Sequence, residues 1–286
     1  MKEFHILNLG AGVQSTTLYL MFLRGDLTPQ IDYAIFADTG EEPTPVYRHL
    51  EWLQSLNGPH ILVRSIGRLG EHIKFGRNST GQRFACIPAY TTDESGSPKG
   101  MLRRQCAKEY KLDVIEHVIR HEIVGLKLRQ WFPRDEIHVR QYLGISHDEA
   151  GRAARVRLRF AEVPWATPVF PLIENQITRS MCQQWLKAYG VPHEVPRSAC
   201  VFCPDRSNEE WRWLRDNDPA GFQRAVEIDT ALRTPGHVVN RNLEQKLYVH
   251  RSCVPLAEAL IEKSEETGDQ RFISSYQEEC HGLCGN

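Results

Sequence analysis

The chain has 286 residues, 35 Lys plus Arg against 36 Asp plus Glu, and a formal net charge of −1. That balance excludes a uniformly basic nucleic-acid binder and an acidic disordered chain. A composition that is 41% hydrophobic and 25% charged is that of a globular protein with a sizeable core. At about 150 residues per domain, the length fits two domains or one large α/β domain with additions. No apolar run approaches the roughly 18 residues that span a bilayer, and the stretch from Met1 to Gly10 lacks a signal-peptide pattern. The expectation is a cytoplasmic protein with no membrane partner. Eight cysteines are the unusual count. They are too sparse for a disulfide scaffold, and so indicate a metal, a redox reaction or buried packing.

The predicted elements alternate at first. Phe4 to Leu9 is a short apolar strand, followed by Gly10-Ala11-Gly12. Leu18, Met21 and Phe22 then share a helical face that Gly25 ends. Ile31 to Ala37 is a second strand, broken by Asp38-Thr39-Gly40. Val46, Leu50 and Leu53 recur at helical spacing, with Pro43 and Pro45 near the helix start. His60 to Ser65 is a third strand. Strands separated by helices of this length predict a parallel sheet with right-handed crossovers, whose ligands lie at the carboxyl ends of the strands.

From Gly67 to Gln105 the periodicity dissolves, which predicts a long functional loop. Lys111 to Val124 reads as a helix, Ile137 to Leu143 as a strand ending at Gly144, and Val169 to Ile173 as extended. Thr178 to Tyr189 is a helix stopped by Gly190. Beyond Cys203 the pattern is mainly helical, over Glu209 to Arg215, Gly221 to Leu232 and Pro255 to Glu265. A Cys- and Gly-rich tail, Cys280 to Asn286, ends the chain.

Gly10-Ala11-Gly12-Val13-Gln14-Ser15-Thr16-Thr17 joins the first strand to the first helix. Small residues let the backbone approach a phosphate or sulfate, and the helix start supplies N–H groups and a positive dipole end. The alternative is a tight turn needed for packing. The third glycine of a dinucleotide fingerprint and the lysine of a P-loop are both missing. Arg155, Arg157 and Arg159 alternate, so in an extended segment they would face one side, towards a polyanion or solvent.

This loop resembles the modified phosphate loop of the adenine-nucleotide alpha-hydrolase (PP-loop) superfamily, in particular its phosphoadenylyl-sulfate reductase branch. Gln14 stands where ATP-pyrophosphatase members carry Asp, as it does in sulfonucleotide reductases. Four further segments resemble that family's elements. They are Asp38-Thr39-Gly40 with Glu42, Pro43 and Tyr47; Arg104-x-Cys106 with Lys111; Gly144-Ile145-Ser146-x-Asp148-Glu149-x-x-Arg152; and Phe170-Pro171-Leu172. The resemblance covers roughly residues 4 to 205. It implies a Rossmann-like α/β fold: a nucleotide-binding domain over 1–190 and a helical, cysteine-bearing extension over 191–286. It also implies that Gly10, Ala11, Gly12, Gln14, Ser15, Thr16, Asp38, Thr39, Gly40, Arg104, Gly144 and Asp148 bind an adenine nucleotide, ATP or a sulfonucleotide. Lys111 and Arg152 would neutralise its phosphate or sulfate.

Cys200-Val201-Phe202-Cys203 has the spacing of two thiolates on one metal, or of a redox pair. The resemblance aligns Cys106 with cluster-ligating cysteines, while a fourth ligand comes from Cys284, Cys280 or Cys86. Four thiolates suit a [4Fe–4S] cluster or zinc, and the resemblance favours iron–sulfur. Glu279-Cys280 also resembles the tail that supplies the nucleophilic cysteine of sulfonucleotide reductases, so ligand and nucleophile compete for Cys280. Cys182 and Cys253 read as packing. His193, His237 and His281 are alternative ligands.

Three functions compete. The first is a sulfonucleotide reductase or sulfur-transfer enzyme served by an electron or sulfur donor protein. The second is an ATP-dependent enzyme that adenylates and thiolates tRNA or DNA. Gln14 counts against the second, because the missing carboxylate would help hold Mg²⁺. The third is a non-catalytic nucleotide-binding module with a structural zinc.

Overall fold

The computed structural model describes residues 1–76, 78, 87–234 and 246–262. Five parallel strands form the central sheet: β1 (Lys2–Asn8), β2 (Tyr33–Ala37), β3 (His60–Arg64), β6 (Ile137–Leu143) and β7 (Ala166–Val169). Their order is β3-β2-β1-β6-β7. The whole of β1 pairs with β6, from Lys2 opposite Ile137 to Asn8 opposite Leu143. On its other side β1 pairs with β2 from Ile6 opposite Tyr33. A central parallel strand is covered on both faces, which is why Phe4, Ile6, Leu7 and Asn8 are all buried although successive side chains point to opposite faces.

Helices cover the two faces. On one, α1 (Val13–Arg24), α2 (Thr44–Ser55) and α7 (Arg179–Tyr189) pack Leu18, Phe22, Leu50 and Leu186 against Leu7 and Phe36. On the other, α4 (Asp113–His117) continues at both ends into π-helical turns, Lys108–Leu112 and Val118–Ile123. Its Val114, Ile115 and Val118 meet Phe4, Ile6 and Ile35. The expected parallel α/β sheet is therefore present. Cys182 is fully buried in the first of these cores.

A second core surrounds Trp211. It joins α3 (Leu69–Lys74), α8 (Asn208–Asn217), α9 (Pro219–Ala231) and β8 (Leu247–Tyr248), and β8 continues into an antiparallel sheet with β4 (Tyr90–Thr92) and β5 (Pro98–Met101). Leu69, Ile73, Tyr110, Phe202, Ile228 and Leu247 pack together there, so segments far apart in the chain share one interior. Asp229 fastens it. Its carboxylate accepts the Val249 and Leu256 N–H groups, each at 2.9 Å, and pairs with Arg233 at 2.5 Å.

Four expectations are corrected. The patternless stretch from Gly67 contains α3, β4 and β5. β4 has only three residues and pairs with β5 on one side and with β8, about 157 residues on, on the other, and every residue of β5 is exposed, so neither carries a local periodic signal. Val169 to Ile173 is not extended: β7 ends at Val169, and Pro171 starts the helical turn α6 (Pro171–Glu174). The arginine run lies on a helix, α5 (Ala150–Phe160), whose Ala153 and Val156 face the core. At 3.6 residues per turn, arginines at every second position diverge. Arg152 is buried, while Arg157 lies over the Phe170 ring at 4.8 Å. The helix expected from Pro255 is a single 3₁₀ turn, Leu256–Glu258, among the described residues. No helix among those residues is long and apolar enough to cross a membrane.

Candidate functional site at the carboxyl edge of the sheet

The strand order reverses around β1, so a crevice opens between the carboxyl ends of β1 and β6. The glycine loop sits there. Gly12 caps α1, and Ala11 holds a left-handed φ of 58°, a strained value for a residue with a Cβ. Ser15 Oγ accepts the Gly10 and Gly12 N–H groups at 3.2 and 3.3 Å, which fixes the loop. The positive end of the α1 dipole lies at this loop. Gly144, at the end of β6, presses on this turn: a Cβ there would stand 2.7 Å from Ser15 N. Thr16 bonds sideways, its Oγ1 2.9 Å from His49 Nε2 on α2. His49 Nδ1 is in turn 2.8 Å from His193 Nε2.

Gln14 joins three elements. Its Oε1 accepts from Arg179 Nη1 at 2.9 Å, at the start of α7. Its Nε2 donates to Ser146 Oγ at 2.9 Å and to Glu149. Glu149 also pairs with Arg152 at 2.9 Å, and Asp148 accepts the Arg179 N–H at 3.2 Å. An aspartate at position 14 could accept from Arg179 but could not donate to Glu149. The amide thus suits a place between a cation and a carboxylate.

Beyond β2, Asp38 Oδ1 accepts the Gly40 N–H at 2.8 Å and the Tyr47 hydroxyl at 2.9 Å. Burial, and then the Asp38 charge, push the Tyr47 pKa far up, which keeps that hydroxyl a donor. Lys111 and Glu42 form a buried ion pair at 3.2 Å, and Ser198 Oγ donates to the other Glu42 oxygen at 3.3 Å. Lys111 also lines a small recess with Asn8, Gly10, Phe36, Ala37 and Ile115.

The C-x-x-C loop adjoins this turn. Cys200 Sγ lies 3.2 Å from Thr39 Oγ1, and the Val201 N–H donates to the Glu41 carbonyl at 2.7 Å. The Cys203 N–H closes a turn onto the Cys200 carbonyl at 2.9 Å. Val201 and Phe202 enter the second core, leaving both cysteines partly exposed. Arg104 pairs with Asp205, whose Oδ2 is 4.0 Å from Cys203 Sγ. Cys106 and Cys200 pack against the same core. Buried Arg206 donates to the Ala199 and Cys200 carbonyls at 2.8 and 3.1 Å, and burial followed by neighbouring Arg197 lowers its pKa.

Cys106, Cys200 and Cys203 are all described, and among the described residues no three His, Cys, Asp or Glu side chains are gathered for a metal. Cys280, Cys284, Cys86, His237 and His281 lie outside the described residues. Cys253 is buried with Tyr90 and Tyr248, and burial raises its pKa.

The sequence reading missed Arg179 as a site residue, because nothing local ties the start of α7 to a loop 165 residues earlier. It also missed His49, which sits within the apolar stripe of α2. Comparison of the chain with protein-family models, curated proteins and solved structures found no match.

Proposed function

We propose that this chain binds an adenine nucleotide at the carboxyl edge of the sheet and performs sulfur chemistry beside it, as a sulfonucleotide reductase or sulfur-transfer enzyme. The observation that carries this reading is the contact of Thr39 with Cys200 at 3.2 Å, which joins the C-x-x-C loop to the turn after β2. The C-x-x-C loop thereby adjoins the turn after β2, the strand next to the one that carries the glycine loop. At the glycine loop the first turn of α1 takes the phosphate or sulfate, and Asp38, braced by Tyr47, accepts from the ribose. Cys200, Cys203 and Cys106 would hold an iron–sulfur cluster, with Cys284 as fourth ligand, once drawn together around it. When bound, that cluster supplies positive charge and redox capacity next to the nucleotide. In the reductase form, a cysteine thiolate, Cys280 by family resemblance, attacks the sulfonucleotide sulfur. An S–S bond forms, the sulfur–oxygen bond breaks, and the nucleotide phosphate leaves with the electron pair. A dithiol donor protein then releases sulfite and is oxidised to a disulfide. The engagement of Gln14 with Arg179 and Glu149 favours this over Mg²⁺–ATP chemistry, since it replaces a metal-holding carboxylate with an amide.

Anaerobic purification tests the reading. The expected protein is brown and contains iron, and mass spectrometry after addition of a sulfonucleotide finds a sulfite adduct on one cysteine. Pyrophosphate release stimulated by tRNA or DNA would replace this reading with adenylating thiolation. A colourless protein with stoichiometric zinc and no turnover would leave a nucleotide-binding module.

A further inference from the structure

The connection from α4 to β6 holds two large apolar side chains out in water. Trp131 is 92% exposed and Leu128 78%. Their loop is fixed by its own bonds. The Leu126 N–H donates to the Arg120 carbonyl at 2.8 Å, and its carbonyl meets His121 Nδ1 at 2.7 Å. Lys127 N–H donates to Gln130 Oε1 at 2.9 Å, and Arg120 Nη2 donates to the Gln130 carbonyl at 2.9 Å. Phe132 stacks on Trp165, with centroids 4.5 Å apart and planes 17° apart. The neighbouring Trp131 is thus displayed from an anchored segment, uncovered among the described residues.

The tip of the loop carries one sign of charge. Residues 125–134 hold Lys127, Arg129 and Arg134 and no acid, and the exposed Asp135 and Glu136 follow where the loop enters β6. All three cations are exposed, and none forms an ion pair among the described residues. An exposed planar aromatic set among unpaired cations is what a single nucleic-acid strand requires, because any base has a π-face and every nucleotide brings a phosphate. One Trp and one Leu are a small apolar area for a lipid surface, whereas one aromatic suffices to stack a base.

We propose that this loop docks a single-stranded nucleic-acid segment, with a base stacked on Trp131 and phosphates met by Lys127, Arg129 and Arg134. It lies at the amino ends of β1 and β6, the end of the sheet opposite the glycine loop. A strand held there leaves the carboxyl edge open, and the inference does not depend on the chemistry assigned to that edge.

The test is fluorescence anisotropy of a labelled thymidine or uridine oligonucleotide against the full chain at several salt concentrations. Trp131→Ala is expected to weaken binding about ten-fold, and Trp131→Phe to keep most of it. Lys127→Gln and Arg129→Gln are each expected to flatten the log K against log salt slope by about 0.7. Thermal melts of every variant confirm that it folds, and the two charge variants carry the test if Trp131→Ala does not. Equal binding by wild type, Trp131→Ala and both charge variants overturns the proposal. So does absence of binding, or binding to phosphatidylserine vesicles in place of the oligonucleotides.

Discussion

The glycine loop and the C-x-x-C loop are held by different forces. Around Gly10 to Ser15 the backbone is held by neutral, short-range bonds from two N–H groups to Ser15 Oγ, Gly144 lets two backbones touch, and only the Gln14 side chain reaches distant charges. Around Cys200 the supports are ions. Glu41 pairs with Arg224 at 2.8 Å, Glu42 with Lys111, Asp205 with Arg104 and Glu210 with Arg197. Glu41, Glu42, Lys111 and Arg206 are all buried. The first loop is shaped by sterics and the second by charges whose desolvation must be offset by good pairing. Disturbing them should therefore give different responses.

The largest effect is expected at the ionic side. Lys111→Met leaves the Glu42 carboxylate buried without its cation, and should cost about 3–5 kcal/mol in urea unfolding. Adding Glu42→Gln to it should recover much of that loss, because both charges then go together. If the single and double variants are equally unstable, packing rather than charge holds this side.

At the steric side, Gly144→Ala puts a methyl against the Ser15 backbone, which cannot swing away as a side chain can. A loss of about 1–3 kcal/mol is expected, together with weaker nucleotide binding by calorimetry. A stable variant with unchanged affinity would show that the two backbones do not need their close approach. Gln14→Glu is a milder disturbance. It removes the donor that faces Glu149 while keeping the acceptor for Arg179. About 1 kcal/mol should be lost in urea unfolding at neutral pH.

Much of the steric side was legible in the sequence. β1, α1, β2 and α2 follow one another with short connections, and apolar spacing with Gly25 and Pro45 marks their extents. The ionic side was not legible. Nothing near Glu42 announces Ser198, and nothing near Glu41 announces Arg224, 183 residues away. The C-x-x-C spacing was visible, but its neighbour Thr39 was reached only through the fold. The arginine run misled because period-two counting was applied to a segment whose apolar residues, Ala153 and Val156, keep helical spacing.

The smallest expected effect lies where the steric loop reaches the surface, through Thr16, His49 and His193. Burial lowers the pKa of His193 below its ordinary value of 6.5. The folded chain therefore favours neutral imidazole, and the unfolded chain takes up the proton at a higher pH. The stability that depends on the neutral form is fully present above pH 6.5 and is lost as the pH falls from there through the lowered value. Wild type should consequently lose more melting temperature than His193→Gln between about pH 7.5 and about pH 5.5. The groups facing this ring are His49 and Trp52 on α2, whose ring centroids lie 5.0 and 5.4 Å from it. Trp52 does not titrate, so His49→Gln is the second control: if it removes the pH dependence and His193→Gln does not, the titrating group is the inner histidine of the chain.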